Sequence, residues 1–164
     1  MAASESKIRL GEITEANFLE AASLSVAPEQ RGFAAPATGI IARGYVYRDC
    51  GAHVYTVLEG DTIVGLALVR EFTDEPLGYD LQQFIIGEEY LGRGYGSAAL
   101  ELILDRLRQD GKYRQVEVCV KKADAAALRV YEKAGFADSG YVDPDCPDSI
   151  NLILHFTDQR SKNA

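Results

Sequence analysis

The sequence lacks the features of secreted, membrane-spanning and metal-dependent proteins. Its first ten residues, MAASESKIRL, contain no basic flank followed by an apolar stretch, and no window approaches the run of about 18 apolar residues that a membrane-spanning helix needs. The three cysteines, Cys50, Cys119 and Cys146, form neither a CxxC pair nor a Cys/His ligand pattern. We therefore expect a soluble, cytoplasmic protein with reduced thiols, no metal site and no membrane partner.

Basic residues are also scarce. The chain has 17 Lys and Arg against 25 Asp and Glu, a net charge of -8, which argues against nucleic acid as a partner because phosphate binding needs clustered Lys and Arg. The imbalance is uneven: residues 90–135 hold nine basic and six acidic residues and carry +3, which leaves -11 for the rest. This split predicts a local site for an anionic ligand, although solvated charges on helices explain it equally well.

The hydrophobic pattern predicts one globular domain over residues 1–164, because 47% of its residues are hydrophobic and no low-complexity tract interrupts them. Alternation and turn residues predict strands at 7–13, 53–59, 62–72, 79–87, 113–120, 136–143 and 149–156. Helices are predicted at 17–24 with Thr14 as N-cap, after the glycines up to Gly111, and at 123–134, while 25–39 is predicted to be a loop before a short helix at 40–47. Hairpins in the first half and β-α-β units in the second predict an α/β fold of the α+β type, a mixed sheet with helices on both faces.

The most distinctive stretch is EEYLGRGYGSAALELILDRL at residues 88–107. Glycines at 92, 94 and 96 directly precede a helical pattern, so backbone N–H groups can approach an anion at the helix start, with Arg93 and Ser97 as added donors. The spacing G-x-G-x-G differs from the dinucleotide fingerprint G-x-G-x-x-G, and the Lys-Ser/Thr ending of a P-loop is absent. Alone, the pattern is also compatible with a tight turn and close helix packing.

The neighbouring residues identify a resemblance. The segments FIIGEEYLGRGYGSAALELIL and VYEKAGF are similar to the acetyl-CoA-binding and catalytic region of the GNAT superfamily of N-acetyltransferases, closely over residues 79–137. The resemblance implies a mostly antiparallel sheet of six or seven strands and acetyl-CoA (coenzyme A) as cofactor. It also implies the residues that hold this cofactor: the pyrophosphate cradle Gly92, Arg93, Gly94, Tyr95, Gly96 and Ser97, the pantetheine strand Phe84, Ile85 and Ile86, and Asp124.

Two positions depart from the superfamily pattern. Leu91 stands where Gln or Arg is usual, and Asp124 stands where Asn is frequent. Because Asp is also a good N-cap, helix capping by Asp124 is at least as well supported as cofactor contact. The resemblance further implies that Tyr131, in the sequence RVYEKAGF, is the general acid that protonates the departing thiolate, a role that its ordinary pKa of about 10 suits.

The general base is less defined. Some relatives carry a carboxylate where this chain has Cys119, and alternation along the strand places Glu117 on the same face. Other relatives use a carboxylate of the cofactor-binding strand, where Asp80 and the following Glu88 are candidates, and a relay through ordered water is equally compatible.

The stretch LSVAPEQRGFAAPATGIIARGYVYRD resembles the corresponding region of bacterial spermine/spermidine and diamine acetyltransferases of the same superfamily. The resemblance implies a small-molecule primary amine as substrate, a polyamine or diamine. Carboxylates that could line its cleft are Asp49, Glu71, Asp74, Glu75, Asp80 and those of the stretch VDPDCPD, although solubility explains the acidic surface equally well. Another amine (antibiotic, amino acid or protein) and a non-catalytic acyl-CoA sensor remain alternatives. We expect a homodimer, the default for such domains.

Overall fold

The computed structural model describes residues 8–157 of the chain. Its strands are β1 (Ile8–Glu12), β2 (His53–Glu59), β3 (Thr62–Glu71), β4 (Tyr79–Ile86), β5 (Gln115–Lys121), β6 (Ala137–Asp138) and β7 (Ser149–His155). Its helices are α1 (Phe18–Ala22), α2 (Ala37–Val46), α3 (Tyr95–Asp110) and α4 (Ala125–Lys133). The ends of the predicted domain, 1–7 and 158–164, lie outside the described residues, as does the first residue of the predicted strand 7–13.

The strands form one sheet in the order β1-β2-β3-β4-β5-β7-β6. Neighbouring strands are antiparallel except β4 and β5, which are parallel and are joined through α3. This arrangement confirms the predicted fold class, a mixed and mostly antiparallel sheet. Within residues 8–157, none of the helices has the length and apolarity needed to cross a bilayer.

Helix α3 packs on one face of the sheet through the apolar positions that its sequence pattern predicts. Leu100, Ile103, Leu104 and Leu107 follow the i, i+3, i+4, i+7 spacing and are all at most 3% exposed. They share a core cluster with residues of β4, β5 and α4. Each such side chain contributes about 1.5–3 kcal/mol of burial free energy, so this face fixes α3 firmly against the sheet.

Helices α1 and α2 cover the opposite face. Ala21 of α1 and Ile40 of α2 are fully buried against Leu66 and Leu68 of β3 and Ile85 of β4. The Glu20 carboxylate also accepts a hydrogen bond from the Ile63 amide at 2.9 Å, which attaches α1 to β3. The predicted helices on both faces are thus confirmed.

Strand β4 is irregular on both sides, and its separation from β5 opens the sheet at its centre. Strands β4 and β5 pair only at Tyr79↔Val116 and Asp80↔Glu117, although both strands continue for several residues. On the other side, Leu68 pairs with Gln83 and Val69 with Leu81, so Gln82 is an extra residue in a β-bulge. Beyond Asp80, β4 therefore has an edge facing β5 that no strand of residues 8–157 covers.

Two local predictions are wrong. The predicted strand 136–143 is paired only at Ala137–Asp138, because the Asp138 carboxylate accepts a hydrogen bond from the Gly140 amide at 2.8 Å and turns the chain at Gly140, where φ is +78°. Thr14 does not cap α1, because the helix begins at Phe18. Instead, Thr14 starts a turn in which its carbonyl accepts hydrogen bonds from the Asn17 and Phe18 amides.

Candidate active site

A cleft of about 300 Å³ occupies the gap where β4 and β5 separate. Its walls come from β4, from β5, from the loop that starts α3, from α4 and from the segment that connects α1 to α2. The predicted site residues that line it are Phe84, Ile85, Ile86, Gly92, Gly94, Tyr95, Gly96, Ser97, Asp124 and Tyr131. Ten of its wall residues come from the two separated strands and four from α4, so the cleft follows the opening between β4 and β5.

The glycine loop forms one end of this cleft. Gly92 and Gly94 adopt φ of +74° and +78°, a left-handed conformation that side chains disfavour. The amide of Leu91 donates to Glu88 O and that of Ala98 to Gly94 O, but within residues 8–157 no amide of residues 92–97 has a backbone acceptor. A Cβ added to Gly96 would approach only Ile86, at 3.8 Å. The loop therefore offers unpaired N–H groups at the positive end of α3, which suits a pyrophosphate.

Two polar side chains next to the glycines, Arg93 and Tyr95, form hydrogen bonds within the protein. Arg93 is not among the cleft residues: its Nη2 donates to the Glu89 carbonyl at 3.2 Å, and its guanidinium lies 5.9 Å from the Tyr90 ring. A hydrogen bond to Glu59 raises the pKa of Tyr95. Leu91, where the superfamily has Gln or Arg, is 45% exposed at the cleft edge and supplies no polar group. The polar groups that this loop offers to a ligand are therefore mainly its backbone amides, with the Ser97 hydroxyl beside them.

Tyr131 lies in the wall contributed by α4. It is 6% exposed and packs edge-to-face on Phe136, with ring centroids 5.4 Å apart. Burial raises the pKa of its hydroxyl, and the Asp124 carboxylate adds to this shift. Tyr131 therefore keeps its proton at neutral pH, as a proton donor must before the transfer step.

Asp124 is the N-cap of α4. Its carboxylate accepts a hydrogen bond from the Ala127 amide at 3.1 Å, and the residue is almost fully buried. The same residue lines the cleft, so capping and ligand contact are not exclusive. The capping hydrogen bond is sufficient to explain why this position carries Asp.

Two of the candidate bases, Asp80 and Glu117, lie together where the β4–β5 ladder ends, and neither is among the residues lining the cleft. Asp80 is buried and its carboxylate accepts a hydrogen bond from Arg70 Nε at 2.9 Å, with the Tyr47 ring 4.4 Å from the guanidinium. Burial raises the pKa of Asp80, and Arg70 opposes this effect. Burial and the Asp80 charge raise the pKa of Glu117, and His155 opposes this effect.

Away from the glycine loop, the cleft is lined mainly by uncharged side chains, together with the cationic Lys121. Polar and aromatic side chains come from the α1–α2 connection, the β4 bulge and the end of β5: Gln30, Phe33, Gln82, Gln83, Cys119 and Lys121. Lys121 is paired with Asp148 at 3.0 Å. Cys119 was marked only as the position where some relatives carry a carboxylate, and alternation along β5 could have identified Lys121. Gln30 and Phe33, about 50 residues before β4, were marked only by the resemblance of their whole stretch.

The expected carboxylate lining of the cleft wall is wrong. None of Asp49, Glu71, Asp74, Glu75 and Asp80 lines the cleft. Glu71 instead pairs with Lys112 at 2.6 Å, and Asp80 is committed to Arg70. The acidic residues that approach this end belong to the predicted VDPDCPD stretch, because Asp148 bonds to the cleft residue Lys121. Within residues 8–157, no three His, Cys, Asp or Glu side chains are grouped as metal ligands.

The mostly antiparallel sheet, the glycine loop at the start of α3 and the uncovered edge at Phe84, Ile85 and Ile86 agree with the acyl-CoA-dependent acetyltransferase that the resemblance predicts. The chain belongs to the acetyltransferase (GNAT) family, whose model matches residues 25–136. This membership confirms the predicted enzyme class and acetyl-CoA as its cofactor.

Individual relatives are more distant. The chain is 29% identical over 94 residues to the spermine/spermidine N(1)-acetyltransferase of Bacillus subtilis (strain 168), a match that spans 52% of this chain and 59% of that relative. The spermidine N-acetyltransferase from Vibrio cholerae, solved with CoA and spermine, superposes with a TM-score of 0.73 at 14% identity over 92% of this chain and 96% of that one. A GNAT family acetyltransferase from Elizabethkingia anophelis with acetyl-CoA bound gives 0.67 at 14% identity over 93% and 100%. At these identities the solved structures establish the fold alone.

Proposed function

We propose that this protein transfers the acetyl group of acetyl-CoA to a primary amine, and that a polyamine or diamine is the acceptor. The observation that carries the proposal is the cleft itself, in which unpaired amides at the start of α3 lie at one end and Tyr131 lies in the wall. A long ligand with a pyrophosphate fits this combination, because the amides take the charge and the uncovered edge of β4 offers backbone groups along its length.

Two sets of backbone groups bind different parts of the cofactor. Amides of residues 92–97 hold the pyrophosphate, and the β4 backbone at Phe84, Ile85 and Ile86 pairs with the pantetheine arm. Acetyl-CoA supplies the acetyl group as an activated thioester. Tyr131 holds the proton that a departing thiolate needs, and its raised pKa keeps that proton in place until the transfer.

The acceptor amine must lose a proton before it attacks, because most alkylamines are protonated at pH 7. Glu117 is the proposed proton acceptor, acting through water because it does not itself line the cleft. Asp80 is proposed to act indirectly: its charge raises the pKa of Glu117, and Arg70 keeps it ionised. A carboxylate with a raised pKa is a better base than an ordinary one.

Two observations support a polyamine acceptor: the similarity to the spermine/spermidine N(1)-acetyltransferase of Bacillus subtilis and the net charge of -8. Carboxylates outside the cleft wall, such as Asp148, can attract a polycation to its mouth. One observation favours a second candidate: the carboxamides and the Phe33 ring that line the acceptor end suit a monoamine with a neutral polar body, such as an amino-acid amide or a peptide N-terminus.

An amine panel tests both candidates. Release of free CoA thiol from acetyl-CoA is followed with putrescine, spermidine and spermine, and in parallel with glycinamide and a short neutral peptide. The proposal expects kcat/KM for at least one polyamine to exceed that for the neutral amines. A preference for glycinamide or the peptide would replace the first candidate by the second, and thiol release without any amine would indicate hydrolysis instead.

A further inference from the structure

The segment between α1 and α2 forms an arch over the acceptor end of the cleft. Residues 28–34, here called the acceptor arch, contribute Gln30, Phe33 and Ala34 to the cleft wall. Most of the arch is exposed, and Phe33 itself is 38% exposed although it is aromatic. An exposed arch with few core contacts has its position set mainly by the points where it is attached.

The arch is attached to the cofactor-binding side of the sheet at two points. Before it, the Ser25 carbonyl accepts a hydrogen bond from the Glu88 amide at 2.7 Å. After it, the Ala35 amide donates to the Gln83 side-chain oxygen at 2.8 Å. The first attachment is backbone to backbone, so the second is the one that depends on the identity of a side chain.

Gln83 can reach Ala35 because of the bulge in β4. The extra residue Gln82 shifts the register between Leu68 and Val69, and both Gln82 and Gln83 line the cleft. Gln82 turns to β3, where its oxygen accepts from Arg70 Nε at 3.2 Å and Nη2 at 3.3 Å when its amide is oriented by its hydrogen bonds. Gln83 turns to the arch. The neighbouring glutamines therefore fix different walls of the same cleft.

We propose that Gln83 is a positioning residue for the acceptor amine: its carboxamide oxygen holds the acceptor arch over the cleft, so that Phe33 forms a wall of the acceptor site. The inference rests on the proposed function, since it assigns the acceptor end of the same cleft. Gln83 acts through Phe33 and not on the reacting atoms. Its loss should therefore weaken acceptor binding and leave the transfer step and the cofactor in place.

The test compares Gln83→Leu, which removes the oxygen, with Gln83→Glu, which keeps one. In Gln83→Leu we expect KM for the preferred amine to rise about 2- to 12-fold, the equivalent of one net hydrogen bond. Both kcat and the Kd for CoA should stay within about twofold of the wild type. Gln83→Glu should leave the amine KM no more than about twofold above the wild type. Gln109→Leu, the same change at an exposed site on α3, is the matched control.

A double-mutant cycle with Phe33→Ala tests the route of the effect. If Gln83 acts by placing Phe33, the double variant loses no more kcat/KM than the worse single variant. Losses that multiply overturn the proposal, as does an unchanged amine KM in Gln83→Leu or an equal loss of CoA affinity.

Hydrogen exchange of the arch gives a readout that does not depend on turnover. The amides around Ala35 should exchange faster in Gln83→Leu than in the wild type and in Gln83→Glu. Unchanged protection overturns the proposal even if kinetics change. If the wild type acetylates no amine, the proposed function fails, and the acceptor role of Gln83 fails with it. If the wild type is active and only the comparison of variants fails, the role of Gln83 alone is wrong.

Discussion

Replacing Gly94 by alanine should weaken CoA binding through backbone strain alone. Gly94 has φ of +78° and ψ of 8°, and an added Cβ would meet no atom within 4 Å. The cost is therefore conformational, about 1–2 kcal/mol for a left-handed alanine. The chain can relieve this strain by rotating the loop, which turns the amides at the start of α3 away from the cleft. Loss of a single hydrogen bond to a charged phosphate, worth about 1.5–3 kcal/mol, raises the Kd for CoA at least about tenfold.

The other end of the same helix provides the control. Gly111 has φ of +67° and ψ of 11°, and its added Cβ would make only ordinary contacts, the nearest at 3.7 Å. It lies about 24 Å from Gly94 along the 16-residue helix α3. Gly94→Ala and Gly111→Ala should both lower Tm by about 2–8 °C, but titration calorimetry should find weaker CoA binding only in Gly94→Ala. Equal CoA affinity in the two variants would refute the backbone cradle.

Three further changes test the remaining roles. Tyr131→Phe should lower kcat about 100-fold and leave CoA affinity unchanged, because it removes a proton donor and little volume; a retained kcat would remove Tyr131 from that role. Asp124→Ala should lower the free energy of unfolding by about 1 kcal/mol in a denaturant titration, whereas Asp124→Asn should keep the cap. If both variants are as stable as the wild type, Asp124 does not cap α4. For Glu117, kcat at saturating amine should fall as the pH drops through a pKa above the ordinary 4.5, because a protonated base cannot accept a proton; Glu117→Gln should abolish that limb, and an identical profile would exclude Glu117 as the base.

The elements that the sequence predicted well are those with strong local signals. The strand His53–Glu59 has its predicted bounds, and α3 ends before Gly111 with its apolar face buried as expected. In both cases the spacing of the apolar residues and the glycine after the last residue predict the same element, and tertiary contacts do not change it. The glycine loop belongs with them, because positive φ and a following helix are local properties.

The parts that could not be predicted depend on contacts between distant segments. The commitment of Asp80 to Arg70 follows from the β3–β4 register, and the bulge at Gln82 that alters this register has no local signature. Phe33 lies in a segment that Gln83 and Glu88, far along the chain, contact through hydrogen bonds to Ala35 and Ser25. The predicted strand 136–143 failed for the opposite reason, since a local turn at Asp138 prevailed over an extended pattern.

The same kind of limit applies to the acceptor. Net charge indicated a cation, but the charge of a cleft is set by which carboxylates face it and which are already paired. Glu71 and Asp80 are neutralised by Lys112 and Arg70, and neither lines the cleft. A composition argument therefore describes how an amine is attracted and does not describe the surface that binds it.

The central claim is that this cleft transfers acetyl groups to amines. The most direct measurement incubates the wild-type protein with acetyl-CoA and each amine of the panel, and quantifies free CoA thiol and acetylated amine by mass spectrometry in the same sample. The account predicts that thiol and N-acetylated product appear in equal amounts with at least one primary amine. Acetyl-CoA that binds in calorimetry but yields neither product with any amine would contradict it and favour an acyl-CoA sensor.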